Sequence, residues 1–127
     1  MMKVVPNELL LVGLGGILGA VSRFAIGLMF DRDASRLPVA TLIVNLSGCL
    51  LIGWLYGCGW LNSNERIRLL VAVGFLGAFT TFSAFALETV RLWESGQAWW
   101  GAINVGISLV GGLVFVVLGV IIGKQFL

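Results

Sequence analysis

Four long apolar runs fill almost the whole chain, and each is near or above the roughly 20 residues that a helix needs to cross the hydrocarbon core of a membrane. They cover about residues 9–30, 39–60, 69–93 and 98–123 of the 127. Hydrophobic residues make up 59% of the sequence and charged residues 11%, so nothing is left over for a soluble domain. The sequence therefore predicts an all-α, multi-pass integral membrane protein whose residues 1–127 form one transmembrane domain of four helices.

The composition of these runs argues against several classes of function. The first run is too long for the apolar core of a signal peptide and already contains Arg23. Cys49 and Cys58 lie in one run and the chain has no histidine, so we expect neither a disulfide framework nor a cysteine–histidine metal site. The net charge of +2 is too small and scattered to predict a nucleic-acid partner. Without histidine, paired deep carboxylates or a nucleophile beside a base, we do not expect an enzyme.

Basic residues are nearly balanced between the two sides of the predicted membrane domain. Four spans place both termini on one side, together with the first group of basic residues: Lys3, Arg66, Arg68 and Lys124. The opposite side has the second group: Arg32, Arg36 and Arg91, with Arg23 inside the first helix toward that side. An excess of Lys and Arg in cytoplasmic loops normally sets orientation, and here there is almost none. The balance indicates a chain that can insert in both orientations.

Small residues recur on one face of the first and fourth runs. Gly15 and Gly19 are four residues apart in the first run, and Gly119 and Gly123 repeat that spacing in the fourth. Such pairs let two helix backbones approach closely. Four helices alone are too few to enclose a pore comfortably, so the sequence favours a homodimer in the lipid bilayer.

The middle of the third run has a composition that is unusual for a continuous transmembrane helix. Between Gly74 and Phe85 it carries glycines and three hydroxyl side chains: Thr80, Thr81 and Ser83. At this depth each freed backbone group costs several kcal/mol unless it is satisfied. We therefore predict that the third helix is broken here and that the break lines a site. The alternative is an ordinary packing helix whose phenylalanines face lipid.

A thin line of polar side chains follows the second and fourth runs. Thr41 and Asn45 are four residues apart and share a helix face, as do Asn104 and Ser108. A carboxamide both donates and accepts hydrogen bonds. Asn45 can therefore cap a broken neighbouring helix, join two helices, or donate to an anion.

Two charged residues lie within or near the apolar runs. Arg23 either extends toward the headgroups or contacts a substrate, since an embedded guanidinium has a structural or functional role by default. Glu88 follows Phe85 by about one turn. There it could hold Arg23 or Arg91, or lie at the mouth of a pore.

Three ordered motifs give the chain a resemblance to the small fluoride channels of the Fluc or CrcB family, over essentially its whole length. They are Gly15-Gly-Ile-Leu-Gly-Ala-Val-Ser-Arg23, Thr41-Leu-Ile-Val-Asn-Leu-Ser-Gly48 and Gly74-Phe-Leu-Gly-Ala-Phe-Thr-Thr-Phe-Ser-Ala-Phe85, with Asn104-x-x-x-Ser108 as a weaker fourth. The resemblance implies a fluoride-selective channel of the inner or plasma membrane that exports fluoride passively and gives fluoride resistance. It also implies an antiparallel, dual-topology homodimer with two fluoride pathways and one structural sodium ion.

The same resemblance assigns roles residue by residue. Asn45, Phe82 and Phe85 would line the fluoride pore. The polar track beside them would consist of four residues: Thr41, Ser83, Asn104 and Ser108. Backbone carbonyls at Gly77–Thr80 would hold the sodium ion together with those of the partner. Arg23 and Glu88 match buried charged positions of the family. The chain departs from the family pattern at Ala84, where threonine is usual, and at Ala40, where glycine is common.

Two other classes of membrane protein fit parts of this pattern. A small four-span, proton-coupled multidrug exporter would also be a dual-topology dimer. It needs a carboxylate deep in a span, and Glu8 lies at the edge of the first run. An assembly subunit without transport activity would show the same small-residue faces. The polar line through Asn45 and Ser108 argues against that second alternative.

Overall fold

The computed structural model describes residues 6–30 and 37–127, and these residues are helical with no strand. Four helical spans are long and apolar enough to cross a membrane: Pro6–Phe30, Val39–Gly57, Glu65–Glu94 and Ala98–Phe126. The prediction of an all-α protein with four membrane spans is confirmed. Three of the counted basic residues lie outside the described residues: Lys3, Arg32 and Arg36.

The first two spans are continuous helices. Helix α1 is Pro6–Phe30 and helix α2 is Val39–Gly57. After α2, Gly59 adopts a φ of 74°, a left-handed conformation that glycine adopts without a steric penalty. The chain thereby turns into the short helix α3, Trp60–Ser63.

The third span consists of two helices with two extended residues between them. Helix α4 runs through Glu65–Ile67, a π-helical segment Arg68–Leu76 and the final turn Gly77–Phe79. Thr80 (φ −82°, ψ 155°) and Thr81 (φ −151°, ψ 115°) are both extended. Helix α5, Phe82–Glu94, follows them.

The fourth span is a single helix, α6, with a change of winding at its centre. Its parts are Ala98–Gly106, the π-helical Ile107–Gly111, Gly112–Gly123 and a last 3₁₀ turn, Lys124–Phe126. Single turns of π-helix inside α-helices occur often at functional sites. In this chain Ser108 lies in the π-helical part of α6.

Glycine faces join the spans in two tight pairs. Helix α1 meets α4 through Gly15, Gly19 and Gly74; a Cβ added at Gly19 would lie 2.2 Å from the Phe75 carbonyl oxygen. Helix α2 meets α6 in the same manner, and a Cβ at Gly119 would lie 2.2 Å from the Leu50 carbonyl oxygen. The small-residue faces seen in the sequence are therefore interfaces within one chain, where backbone touches backbone.

We expect Gly119→Ala to destabilise the fold by about 1–3 kcal/mol, since the new methyl group meets backbone that cannot rotate away. The matched control is Gly106→Ala on the same helix, where no heavy atom lies within 4 Å of the added Cβ. Thermal unfolding of the purified protein in detergent, followed by circular dichroism, measures the difference. Equal midpoints for the two variants would contradict the close contact between α2 and α6.

The buried core is small and lies around the end of α4. Val44, Leu55, Leu76 and Phe79 form its centre, and Phe75 packs against it. The Phe75 and Phe79 rings are stacked with centroids 5.3 Å apart. Most other large apolar side chains point outward, for example Leu18 and Leu113 at 61% and 72% exposure. Such an outer surface suits lipid, whereas Thr81 and Thr89 of the third span are buried.

Candidate functional site

The side chain of Asn45 holds the backbone at the interruption of the third span. Its Oδ1 accepts a hydrogen bond of 2.7 Å from the Thr81 N–H, and its Nδ2 donates one of 3.0 Å to the Thr81 carbonyl. One amide on α2 thus satisfies both backbone groups of an extended residue at membrane depth, where an unmet group is costly. These two bonds agree with two of the roles considered for Asn45, since they satisfy the backbone of an interrupted neighbour and join α2 to the third span.

Hydroxyl groups satisfy further polar atoms around the same residues. The Thr81 Oγ1 accepts a hydrogen bond of 3.1 Å from the Ala84 N–H, which makes Thr81 the N-cap of α5. The Thr81 and Ser83 hydroxyls lie 3.3 Å apart. The Thr80 hydroxyl donates to the Leu76 carbonyl at 2.9 Å, within its own helix end. Ala84, where the family usually has threonine, is therefore anchored through its backbone.

The carbonyls of Gly77 and Thr80 lose their helical donors in this arrangement. In a continuous helix the Gly77 carbonyl would accept from the Thr81 N–H, and the Thr80 carbonyl from the Ala84 N–H. Here the Thr81 N–H donates to Asn45 and the Ala84 N–H donates to the Thr81 hydroxyl. Side chains have taken the donors, so Gly77 and Thr80 each present a carbonyl oxygen released from the α-helical pattern.

A groove of about 400 Å³ opens beside the interruption. We call it the ring groove; the residues that define it are Asn45, Gly77, Thr80, Thr81, Phe82, Phe85 and Ser108. The Phe82 and Phe85 ring centroids are 5.4 Å apart at an angle of 55°. Phe82 is 74% exposed and Phe85 is 7% exposed. The Phe82 ring is therefore largely accessible, whereas the Phe85 ring is buried beside the groove.

A second groove, of about 500 Å³, carries the charged residues. We call it the charged groove; its polar lining consists of Arg23, Thr41, Thr81 and Glu88. The Thr41 hydroxyl donates a hydrogen bond of 2.7 Å to Glu88 Oε1. Arg23 is half-buried. Thr81 lines both grooves, and the pair formed by Asn45 and Thr81 is the boundary between them.

Comparison with known proteins decides the family. Residues 10–120 match the family model described as CrcB-like protein, Camphor Resistance (CrcB). The chain belongs to the CrcB family. A relative from Ruminiclostridium cellulolyticum named fluoride-specific ion channel FluC is 41% identical over 116 residues, 89% of each chain. A relative with the same name from Haemophilus ducreyi is 39% identical, over 92% of this chain and 92% of its own. Another from Prosthecochloris aestuarii is also 39% identical, over 93% of this chain and 94% of its own.

The structure of this CrcB chain brings together most of the polar and aromatic residues singled out in the sequence. Asn45, Phe82, Phe85 and Ser108 meet in the ring groove, and Thr41 lies in the charged groove with Arg23 and Glu88. Ser83 is exposed beside Thr81. Asn104 lines neither of these two grooves; it is 1% exposed and donates to Thr89.

From the sequence, Thr81 was expected only as one of three hydroxyl residues at the break, without a partner, and Thr89 was given no role. Thr81 had a readable signal, because threonine is a favoured N-cap residue at the start of a helix. Thr89 had none, since its value depends on Asn104, which is 15 residues away in sequence and on another helix. Both threonines are buried, at 9% and 4% exposure.

Proposed function

We propose that this protein is a fluoride-selective channel that lets fluoride leave the cell down its gradient. The observation that carries the proposal is the ring groove, in which an amide, a serine and two phenylalanine rings converge on a break in a membrane helix. Curated relatives that cover most of the chain are named fluoride-specific ion channels. No catalysis is required, because the ion only needs a path.

The chemistry of the ring groove suits a small, strongly hydrated anion. Such an ion leaves water only where fixed donors replace its hydration shell. The Asn45 Nδ2 has two hydrogens, of which one is donated to the Thr81 carbonyl and the other is left for an anion. The positive edges of the Phe82 and Phe85 rings and the Ser108 hydroxyl supply further positive ends. These groups sit on helices, so they cannot open to fit a larger halide without moving backbone.

The charged groove supplies the approach to this path. Arg23 would attract anions into this groove, which it shares with the Glu88 carboxylate. Thr41 binds Glu88 Oε1, which orients that carboxylate along the wall of the groove. Fluoride would then pass the boundary at Thr81 into the ring groove.

Fluoride efflux from liposomes tests the proposed function directly. Purified protein is reconstituted into vesicles loaded with potassium fluoride or potassium chloride, and valinomycin is added to carry the balancing potassium. We expect rapid fluoride release at a fluoride electrode and retention of chloride by the matched vesicles. Release of fluoride no faster than from protein-free vesicles would refute the proposal.

We propose further that the working unit is an antiparallel homodimer. The near-equal basic residues on the two sides support insertion in both orientations. The largely apolar outer surface and the open ring groove leave room for a second copy to complete the path.

Biased insertion tests the antiparallel dimer. The double variant Asn62→Lys and Ser63→Lys adds charge after α2, whereas Ser95→Lys and Gln97→Lys add it between α5 and α6, on the other side. Each variant alone is expected to insert mainly one way and to lose most fluoride efflux, since an antiparallel partner is absent. Co-expression of the two should restore efflux. Full activity of either singly oriented population would contradict the antiparallel dimer.

We propose that the Gly77 and Thr80 carbonyls hold a structural sodium ion with the same carbonyls of the second copy. The residues fit such an ion, because oxygen is the ligand that hard cations prefer and these two carbonyls have lost their helical donors. The ion would supply positive charge beside the ring groove. The chain itself supplies the rigid backbone, held by Asn45.

Replacement of sodium by N-methylglucamine tests this site. We expect a lower unfolding temperature of the purified dimer, because four inward-facing carbonyls would lose their shared cation. Radioactive sodium should not enter vesicles during fluoride efflux, since a structural ion stays in place. Sodium flux that rises in proportion to fluoride flux would overturn the structural assignment.

A further inference from the structure

A chain of hydrogen bonds runs from α6 to the backbone of a ring-groove phenylalanine. The Asn104 Nδ2 donates to the Thr89 Oγ1 at 2.9 Å, and the Thr89 hydroxyl donates to the Phe85 carbonyl at 2.8 Å. Asn104 and Thr89 are 1% and 4% exposed. The first bond joins two helices, and the second lies within α5 one turn from Thr89 to Phe85.

We propose that Asn104 is a positioning residue that fixes Phe85 in the ring groove through Thr89, and that it does not touch the ion. The inference rests on the proposed function, and it changes the role that the family resemblance gives Asn104. The side chain is enclosed and lines neither the ring groove nor the charged groove. A passing ion in these grooves therefore meets Phe85 and does not meet Asn104.

The break in the third span makes this attachment important. Because Thr80 and Thr81 are extended, α5 is not held in line by a continuous helix from α4. Its N-cap residue, Thr81, is held from α2 by the Asn45 amide, and its middle is held from α6 by the Asn104 amide through Thr89. Two carboxamides, one on α2 and one on α6, thus determine the positions of the Phe82 and Phe85 rings.

The remaining polar atom of Asn104 supports a positioning role. Its Oδ1 is buried and has no hydrogen-bond partner within residues 6–30 and 37–127. A buried acceptor left unmet destabilises a fold, so a leucine here would be the more stable choice. Thr89 would keep its own acceptor at Phe85 after that change. The amide thus costs stability, and we infer that its benefit lies in placing the ring.

Fluoride efflux and stability should therefore respond differently to substitutions at Asn104 and Thr89. Asn104→Leu should reduce fluoride efflux by about tenfold, the scale of one interhelical hydrogen bond, without lowering the unfolding temperature. Thr89→Val should reduce efflux to a similar extent, whereas Thr89→Ser keeps the hydroxyl and should retain efflux. Val105→Leu, one position along α6, adds the same side chain without touching the bond and is the matched control.

The double variant distinguishes a positioning residue from an ion ligand. If Asn104 acts through Thr89, the double variant Asn104→Leu and Thr89→Val should conduct as poorly as the worse single variant. Losses that multiply in the double variant would show that Asn104 has a separate contact with the ion and would overturn the proposal. Unchanged efflux of Asn104→Leu would also overturn it, as would a loss of efflux accompanied by a lower unfolding temperature. Absence of fluoride efflux from the unsubstituted protein would instead refute the proposed function, and this inference with it.

Discussion

Replacement of Asn45 by leucine is expected to lower fluoride efflux by roughly a hundredfold, because it leaves two buried backbone groups of Thr81 unmet at about 1–3 kcal/mol each. The Thr81 N–H and carbonyl now pair with one amide. Without it the extended residues would either close into a helix or take up water, and either change moves the ring groove. Efflux from liposomes measures the loss of transport, and the elution volume of the purified protein measures the change in its folded state.

Asn45→Asp separates the structural part of this role from the electrostatic part. The carboxylate can still accept from the Thr81 N–H, but it cannot donate to the Thr81 carbonyl, and it brings a negative charge to the ring groove. We expect a folded protein that repels anions. The control on the same helix is Ser47→Ala, since the Ser47 hydroxyl donates within α2, to the Ile43 carbonyl at 2.6 Å. Full efflux with Asn45→Leu would contradict both the cap and the pore.

The phenylalanine pair should show the second large effect. Phe82→Ile and Phe85→Ile keep bulk and remove the positive ring edge, so we expect efflux to fall roughly tenfold or more in at least one of them. The two positions also differ in exposure, 74% against 7%. A loss at Phe82 would be one of ring chemistry, whereas a loss at Phe85 also includes altered packing of the wall.

Phe75→Ile is the matched control for these rings. Phe75 lies on the other side of the break, stacks on Phe79 and packs against the core. We expect a smaller change in efflux and a modest fall in unfolding temperature. Should Phe82→Ile and Phe85→Ile both conduct as well as the parent, the rings would be packing residues, and Asn45 with Ser108 would have to carry the ion.

The fold could be predicted from sequence because the bilayer imposes one length on every span. The apolar runs located all four spans, and the ends differed for local reasons. Helix α2 ends at Gly57 because Gly59 takes a left-handed conformation. The third span begins earlier than the apolar run because the Asn64 side chain accepts from the Ile67 N–H and starts a helix among polar residues.

The site was predictable as a set of residues and not as a set of contacts. Polar residues in an apolar run are visible in any sequence, and Asn45, Thr41 and Ser108 are of this kind. Their partners are not visible, because the bond from Asn45 to Thr81 spans 36 positions and depends on how two helices pack. Asn104 illustrates the same limit, since its spacing from Ser108 suggests one shared face whereas its amide binds α5.

Close contact between glycine faces has a mechanical consequence for selectivity. Where α1 meets α4 and α2 meets α6, backbone atoms touch without intervening side chains, as at Gly19 and Gly119. Such contacts have no side-chain torsions that could relax, so the distance between the helices is fixed by atomic radii. Heating or a change in bilayer thickness would strain the contacts within these helix pairs before it increased the distance between the helices. A pore that distinguishes anions by fractions of an ångström requires helices whose spacing stays constant. Glycine keeps that spacing constant here because it has no side chain between the two backbones.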